Sequence, residues 1–205
     1  ASGGRVETDT IALYEFKIGE GNTVIDRSGV APSADLTLSG DYDWLGAWGV
    51  QFSDGKAQAT VESSRKIHDL IQLTGEYSVE AWVAPGNVTQ EGPARIVSYS
   101  AGENRNFMLG QTLSNYNFPA RSSLSNAEGM PMLSTSDNDE DLQATLQHVV
   151  VTYDPINGRK IYVNGVFTDD VDPDTGASLN NWNDSVKVAK REMTLLKKVK
   201  EENLY

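Results

Sequence analysis

The chain has 205 residues, with 29 acidic and 17 basic side chains, no cysteine and a formal net charge of −12 at pH 7. An acidic surface repels a polyanion, and a chain without cysteine has no disulfide or thiolate metal site, so nucleic-acid binding, zinc fingers and thiol redox chemistry are excluded. No segment approaches the ~20 consecutive apolar residues of a membrane span, so we expect one soluble domain with a single core and a processed or recloned start at Ala1.

Short segments with alternating apolar and polar residues recur along the chain and are typical of half-buried strands. They cover residues 12–16, 50–52, 57–61, 77–83, 107–109, 149–153 and 161–163. Asp54-Gly55, Asn157-Gly158 and Asn164-Gly165 lie between or beside these segments. Because these residue types tolerate a positive φ, the three dipeptides predict tight turns between antiparallel strands.

One helical pattern interrupts the strands at 63–73, where Ile67, Leu70 and Ile71 share a face and Gly75 follows as a helix end.

A sheet with one apolar face has to cover it with a second sheet. Many short strands with a single helical connector therefore predict an all-β fold, an antiparallel two-sheet jelly-roll sandwich. The predicted organisation is a flexible segment over 1–10, the sandwich over 11–189 and a basic tail over 190–205.

The final segment differs in charge from the rest of the chain. Residues 187–205 carry a net charge of +3, against −15 for residues 1–186. Val188, Leu195, Leu196 and Val199 have helix-like spacing, which predicts a basic amphipathic C-terminal helix able to bind an acidic surface. The last four residues, 202–205, resemble the beginning of an engineered protease-cleavage site.

Several segments, taken in order, resemble the laminin-G-like group of concanavalin A-like jelly-roll domains. They are LYEF, EG and DRSG within residues 13–29, VQFSDG at 50–55, YSVEAWV at 77–83, HVVVTYD at 148–154 and GRKIYVNG at 158–165. The resemblance ends after Ala189, where the family continues with a glycine-containing turn and further strands. An unfilled strand position leaves unpaired backbone groups, so we expect the tail or a strand of a partner chain to cover that edge.

The same fold hosts glycoside hydrolases and polysaccharide lyases, so catalysis has to be considered. Hydrolysis needs two carboxylates about 5–5.5 Å apart in retaining enzymes, and the sequence has no Glu-x-Asp-x-x-Glu pattern and no acidic residue two positions from Glu15, Glu62 or Glu80. It also lacks a nucleophile elbow, a Walker loop and a His-Glu-x-x-His motif. We therefore expect no enzymatic activity, with Trp82 packed at the sheet surface or in the core and His148 in a structural role.

Acidic loop residues suggest a cation site. Asp137, Asp139 and Asp141 lie within six residues, and carboxylate oxygens suit Ca²⁺, which takes 6–8 oxygen ligands. A second acidic run covers 169–174. The family resemblance adds Asp26, because related modules bind Ca²⁺ near the rim of the sandwich. The alternative for each cluster is a solvated loop.

Aromatic and amide side chains suggest a carbohydrate site, because sugar rings stack on aromatic faces and amides bind hydroxyls. Tyr42 and Trp44 lie in the predicted 40–49 loop, and a second set lies in the irregular region 114–143. That second set consists of Asn115, Tyr116, Asn117 and Phe118. The alternative is that these aromatics close the ends of the sandwich.

The leading hypothesis is a non-catalytic binding or adhesion module of an extracellular, periplasmic or cell-surface protein. It would recognise a glycan or a protein surface through its loops, with Ca²⁺ as a candidate cofactor. The alternatives are a carbohydrate-active enzyme of the same fold and a structural domain that assembles through its sheet edge.

Overall fold

The computed structural model describes residues 8–92, 94–136, 138–139, 141–172, 175–191 and 194–196. These residues form thirteen strands and one helix. In chain order the elements are β1 (Thr23–Val24), β2 (Leu36–Trp44), β3 (Gly49–Gln58), α1 (Val61–Thr74), β4 (Tyr77–Ala84), β5 (Ala94–Ala101), β6 (Asn104–Thr112), β7 (Asn115–Phe118), β8 (Leu133–Ser134), β9 (Gln147–Asp154), β10 (Gly158–Val163), β11 (Val166–Phe167), β12 (Lys187–Arg191) and β13 (Thr194–Leu196).

The long β2–β3 hairpin joins two antiparallel sheets. One edge of β3 pairs with β2 along its length, while its other edge pairs with β13 near Val50 and with β12 near Ala57. From β13 one sheet continues through β4, β9, β10 and β11, and from β12 the other continues through β5, β6, β7 and β8. This arrangement confirms the predicted all-β, antiparallel two-sheet sandwich of the concanavalin A-like type.

The predicted turns have different outcomes. Asn157-Gly158 connects β9 to β10, and Asn164-Gly165, with φ of 51° and 82°, connects β10 to β11 as predicted. Asp54-Gly55 is not a turn, because both residues lie inside β3. A Cβ atom at Gly55 would collide with the carbonyl oxygen of Asp41 on β2, so the glycine serves close strand approach there.

The predicted helical connector is confirmed as α1. Thr60 caps its first turn by accepting a hydrogen bond from the Ser63 amide at 3.1 Å. Gly75, with φ of 73°, ends the helix by donating to the Ile71 carbonyl at 2.8 Å. Ile67 and Ile71 are buried, which fixes the helix against the sandwich.

The core lies between the two sheets and contains a cluster of aromatic rings. The ring of Tyr77 lies 5.5 Å from those of Phe107 and Tyr153, and 5.2 Å from that of Trp182. The buried aromatic cluster thus joins both sheets to the loop that precedes β12.

Trp82 lies on the outer surface of its sheet. On β4 the inward positions belong to Tyr77, Ala81 and Val83, which are buried, and strand alternation turns Trp82 the other way. Its ring stacks on the ring of His148 at 4.7 Å, and it is half-buried. Of the two positions expected for Trp82, the structure has the sheet surface.

The end of the described chain forms strands where a helix was expected. β12 lies between β3 and β5, and β13 lies between β3 and β4, so the helix prediction is wrong for 187–191 and 194–196. As strands, these segments pair with the backbone groups of β3, β4 and β5, which a surface helix would leave unpaired. This pairing outweighs the helix-like spacing of the apolar residues. The predicted boundary between 189 and 190 falls inside β12. Residues 1–7 and 197–205, including Val199 and the predicted cleavage-site remnant, lie outside the described residues.

Candidate ligand-binding site

A polar pocket of about 410 Å³ opens where α1, the start of β6 and two loops meet. The loops are 119–132, after β7, and 168–186, before β12. The pocket is lined by His68, Asn104, Arg121, Asn181, Trp182, Asn183 and Asp184. Its lining is therefore built mainly from amide and charged side chains.

Buried side chains fix the loop before β12 to the core. Asn106 on β6 is fully buried, donates from Nδ2 to the Asn183 carbonyl at 2.8 Å and accepts at Oδ1 from the Asn183 amide at 2.8 Å. The buried indole of Trp182 donates from Nε1 to the Arg121 carbonyl at 2.7 Å. These contacts hold the pocket walls without a ligand, which is the condition for a preformed site.

The two loops also bind each other. Asn181 donates from Nδ2 to the Ser122 carbonyl at 2.6 Å. The Ser123 amide donates to the Ser178 carbonyl at 2.8 Å, and the Ser178 amide donates to the Ser123 hydroxyl at 3.0 Å. The pocket floor is thus continuous across residues that lie more than fifty positions apart in the sequence.

The charges around the pocket are unequally compensated. Asp184 lies 3.1 Å from the guanidinium of Arg65, and Nδ1 of His68 lies 2.9 Å from Asp69. Arg121 donates from Nη1 to the Asn104 amide oxygen at 2.6 Å and has no carboxylate partner among the residues that the structure describes. The Nε of Arg121 and the Oδ1 of Asn181 are shielded from solvent and lack hydrogen-bond partners in the same described part.

The pocket is chemically suited to binding a polyhydroxylated ligand. Amides both donate and accept hydrogen bonds, and a guanidinium supplies a planar array of donors. Asp184 is the one carboxylate among the described residues of the lining, and it is paired with Arg65. Hydrolysis by the usual glycosidase mechanism needs two carboxylates on opposite sides of the bond, which this lining does not supply.

The predicted aromatic residues Tyr42 and Trp44 lie outside this pocket. Both are partly buried against the core, and both donate to the carbonyl of Gly21, from Tyr42 Oη at 3.3 Å and from Trp44 Nε1 at 2.8 Å. They hold the segment before β1 onto the β2–β3 hairpin. Their role in ligand binding stays a prediction.

The second predicted set, at 115–118, forms the buried strand β7. Tyr116 and Phe118 have no exposed surface, and Tyr116 donates from Oη to Gln147 at 2.8 Å. Asn115 and Asn117 are also buried, and Asn117 donates to the Ser134 hydroxyl at 2.9 Å. Because β7 is buried on both faces, these four residues do not present the exposed aromatic rings and amides that a carbohydrate site needs.

The carboxylate of Asp26, predicted as a metal ligand, is bound by other groups of the protein. Its carboxylate is buried in an ion pair with Lys66 at 2.5 Å and accepts from the amides of Leu13 at 3.0 Å, Ser28 at 3.0 Å and Ala34 at 3.1 Å. Burial raises the pKa of Asp26, but the hydrogen bonds from Lys66, Ser28 and Leu13 outweigh it and lower the pKa to about 2. An ammonium group fills the place of a cation, so the Asp26 prediction is corrected.

The remaining metal candidates lie in the loop before β9. The pKa of Asp141 is raised by burial and by the negative charges of Asp170 and Asp139. The Oδ2 atoms of Asp141 and Asp170 are shielded from solvent and have no hydrogen-bond partner within the described ranges. Asp137 lies outside the described residues, and those described contain no group of three or more His, Asp or Glu arranged to hold a metal. Calcium binding here stays a prediction.

The second acidic run is partly used by the fold. Asp172 forms a buried ion pair with Arg159, at 2.6 Å to Nη2 and 2.9 Å to Nε. Arg159 also donates to the carbonyls of Phe118 and Pro131 at 3.1 and 3.0 Å. Asp172 therefore anchors the loop after β11 and is not available as a free ligand.

The sequence analysis missed the pocket residues Asn104, Arg121, Asn181 and Asn183. The available signal was the run NNWND at 180–184, where amides surround a tryptophan. The other residues come from distant segments with no common motif, so their meeting depends on the fold.

Residues 52–192 match the family model of the concanavalin A-like lectin/glucanases superfamily. The match covers more than half of the chain, and the chain belongs to this superfamily. No curated protein matches it by sequence. In the described part of the chain, no helix combines the length and the apolar character needed to cross a membrane.

Solved structures with a similar fold include botulinum neurotoxins. One, from work on the interaction of the type C toxin with two ganglioside molecules, has a TM-score of 0.60 and 17% identity over 94% of this chain and 44% of that chain. The type DC binding domain with SialylT has a TM-score of 0.66 and 14% identity over 95% of this chain and 45% of that one. The type DC binding domain with rat synaptotagmin II has a TM-score of 0.58 and 15% identity over 93% and 45%. The chain spans less than half of each of these structures. At identities this low, the similarity shows the shared fold alone.

Proposed function

We propose that the protein is a non-catalytic carbohydrate-binding module that recognises its ligand in the polar pocket. The observation that carries the proposal is the preformed arrangement of amides, in which buried Asn106 holds the backbone of Asn183 from both sides. Amide and guanidinium groups are the types that bind sugar hydroxyls. A rigid site loses less conformational entropy on binding, which favours affinity for a small polar ligand.

Three further features support the proposal. Among the neurotoxin structures of the same fold, cell entry of the type C toxin depends on interaction with two ganglioside molecules, and the type DC binding domain forms complexes with SialylT and with rat synaptotagmin II. The single carboxylate of the lining favours binding over hydrolysis. Membership of a superfamily that includes lectins agrees with a binding role, and we propose that the protein is extracellular, periplasmic or at the cell surface.

The test is a glycan array followed by calorimetry with the best-bound glycan. Asn181→Ala removes one lining amide and should weaken binding about tenfold or more, a loss of ~1.4 kcal/mol. Asn180→Ala, an exposed neighbour, is the matched control and should leave the affinity unchanged. Binding that survives Asn181→Ala and Asn104→Ala together would place the site elsewhere, and release of free sugar during the assay would identify an enzyme.

A further inference from the structure

Arg121 is the unusual charge of the pocket. The chain carries twelve more acidic than basic side chains, yet this guanidinium has no carboxylate partner among the described residues. Its hydrogen-bond partner is the neutral amide of Asn104, at 2.6 Å. The other two ionisable side chains of the lining each have a partner outside it, since Nδ1 of His68 lies 2.9 Å from Asp69 and Asp184 lies 3.1 Å from Arg65.

A partly buried cation without a counter-charge is costly unless something compensates it. Guanidinium presents donors in a fork that matches the two oxygens of a carboxylate or a sulfate, and such charge-assisted pairs are about twice as strong as neutral hydrogen bonds. Among the described residues the guanidinium of Arg121 donates one side-chain hydrogen bond, from Nη1 to Asn104, and its solvent-shielded Nε has no partner. The protein therefore uses only part of the donor capacity of this fork.

We propose that the pocket takes an anionic sugar, and that Arg121 binds its negatively charged group. This inference rests on the proposed function, since it names the ligand class for the same pocket. The shared chemistry is an oxyanion carried on a pyranose ring, as carboxylate in a uronic acid or as sulfate in a sulfated sugar. The amides of Asn104, Asn181 and Asn183 then bind the ring hydroxyls.

Asp184 sets the orientation of such a ligand. Its carboxylate is held by Arg65 at 3.1 Å and repels a second negative charge placed beside it. The anionic group therefore lies at the Arg121 side of the pocket, and the neutral hydroxyls lie towards Asp184, where they donate hydrogen bonds to its oxygens.

The experiment measures binding by ligand-observed NMR and calorimetry with matched methyl glycosides of glucose and galactose. Each sugar is used in three forms that differ only at C6: neutral, carboxylated and sulfated. We expect the carboxylated or the sulfated form to bind about tenfold tighter than the neutral form at low salt. The preference should fall as the ionic strength rises, because the pair is electrostatic. The relative affinity of the two anionic forms identifies which oxyanion the pocket prefers.

Two variants assign the effect to Arg121. Arg121→Gln should remove the preference for the anionic form, so that the variant binds the neutral and the anionic forms with affinities within about threefold of each other. Arg121→Lys keeps the charge without the planar fork and should retain part of the preference. Arg27→Gln, at an exposed arginine away from this pocket, is the control and should behave as the wild type. A melting curve for each variant shows that it is folded.

The outcomes separate this inference from the proposed function. Equal affinity for neutral and anionic forms would overturn the anionic preference and leave carbohydrate binding in place. A preference that persists in Arg121→Gln would overturn the assignment to Arg121. Absence of binding to every glycoside here and to every glycan on the array would overturn both.

Discussion

The side chain of Asn106 pairs with the backbone of Asn183 through two hydrogen bonds of 2.8 Å, across 77 residues of sequence. Asn106 has no exposed surface, whereas Asn183 lines the pocket. A buried amide thus fixes the position of a residue that lines the pocket. The stability of the fold and the shape of the pocket are linked at this point.

Asn106→Ala should therefore lower both stability and ligand affinity. Two buried hydrogen bonds are lost and the Asn183 backbone loses its partners, which costs about 1–3 kcal/mol in the free energy of unfolding. Urea denaturation gives the change in stability. The control Asn180→Ala, at an exposed asparagine of the loop before β12, should keep a free energy of unfolding within about 0.5 kcal/mol of the wild type. An equally small effect of Asn106→Ala would show that the pairing of Asn106 with Asn183 is not needed for stability.

Asp26→Asn should destabilise the protein at pH 7 and change its response to acid. The folded-state pKa of Asp26 is lowered from 3.8 to about 2, so its contribution is complete above pH 3.8 and is lost as the pH falls towards 2. The variant leaves Lys66 buried without a counter-charge, and breaking such a pair costs about 3–5 kcal/mol.

Urea midpoints between pH 2 and pH 7 would test this. The wild type should lose stability below pH 3.8 more steeply than Asp26→Asn. The double variant Asp26→Asn with Lys66→Met should recover part of the loss at pH 7, because it removes the uncompensated charge as well. A single variant as stable as the wild type at pH 7 would contradict a structural role for this ion pair.

Asp141→Asn should raise the melting temperature at neutral pH. Burial, Asp170 and Asp139 raise the pKa of Asp141, so the charged form is disfavoured in the folded state. Such a group lowers stability as the pH rises through its folded-state pKa. The gain from the substitution should therefore be present at pH 7 and shrink in acid, where the native carboxyl is protonated.

Calcium binding would give Asp141 a second, measurable effect on the melting temperature. If the predicted loop site forms, millimolar Ca²⁺ raises the melting temperature of the wild type and a chelator reverses it, since a ligand that binds the native state alone stabilises it. Asp141→Asn should lose this response. A wild type whose melting temperature responds to neither addition would show that this loop does not bind calcium.

Trp82→Ala and Phe118→Ala should differ in their effect on stability. Trp82 is half-buried on the outer face of β4, so truncation should cost about 1–2 kcal/mol through lost contact area. Phe118 has no exposed surface, and truncation in a packed core costs about 3–5 kcal/mol. Chemical denaturation of both variants gives the order, and a larger loss at Trp82 would indicate that the outer face of the sheet is covered in solution.

Removal of residues 187–205 should abolish cooperative folding. β12 and β13 occupy positions inside the two sheets, so their loss exposes the backbone edges of β3, β4 and β5. Sedimentation and near-ultraviolet circular dichroism should show association and loss of fixed aromatic packing. A shorter deletion, of 197–205, should be tolerated by comparison, and a folded monomer after the longer deletion would contradict the role of these strands.

Local patterns in the sequence predicted the elements whose form depends on near neighbours. Alternation gave β4, β9 and β10, and Gly75 marked the end of α1. The segments 187–191 and 194–196 were misinterpreted because they pair with β3, β4 and β5, which lie far away in the sequence. The segment 115–118 pairs with its neighbour β6, and its burial depends on how the rest of the fold covers β7. Loop-like composition and helix-like spacing do not record such pairing.

The candidate site was harder to predict than the fold, for the same physical reason. Its lining combines α1, β6 and two loops, and each contributes an ordinary polar residue. Asp26 shows the opposite error, since a carboxylate in a loop suggested a metal ligand while the neutralising Lys66 lies forty residues away. A charge can be assigned a role only when its partner is known.

The position of β12 also has a consequence for how the chain folds. The Val188 amide donates to the Ser64 hydroxyl, 124 residues earlier, at 3.0 Å. During synthesis, β3 and β5 must wait with open edges until residues 187–191 have been made. Folds dominated by such distant pairings form slowly, and open strand edges are sites where two nascent chains can pair or exchange strands. A slow supply of residues 187–191 should therefore lower the yield of correctly folded protein.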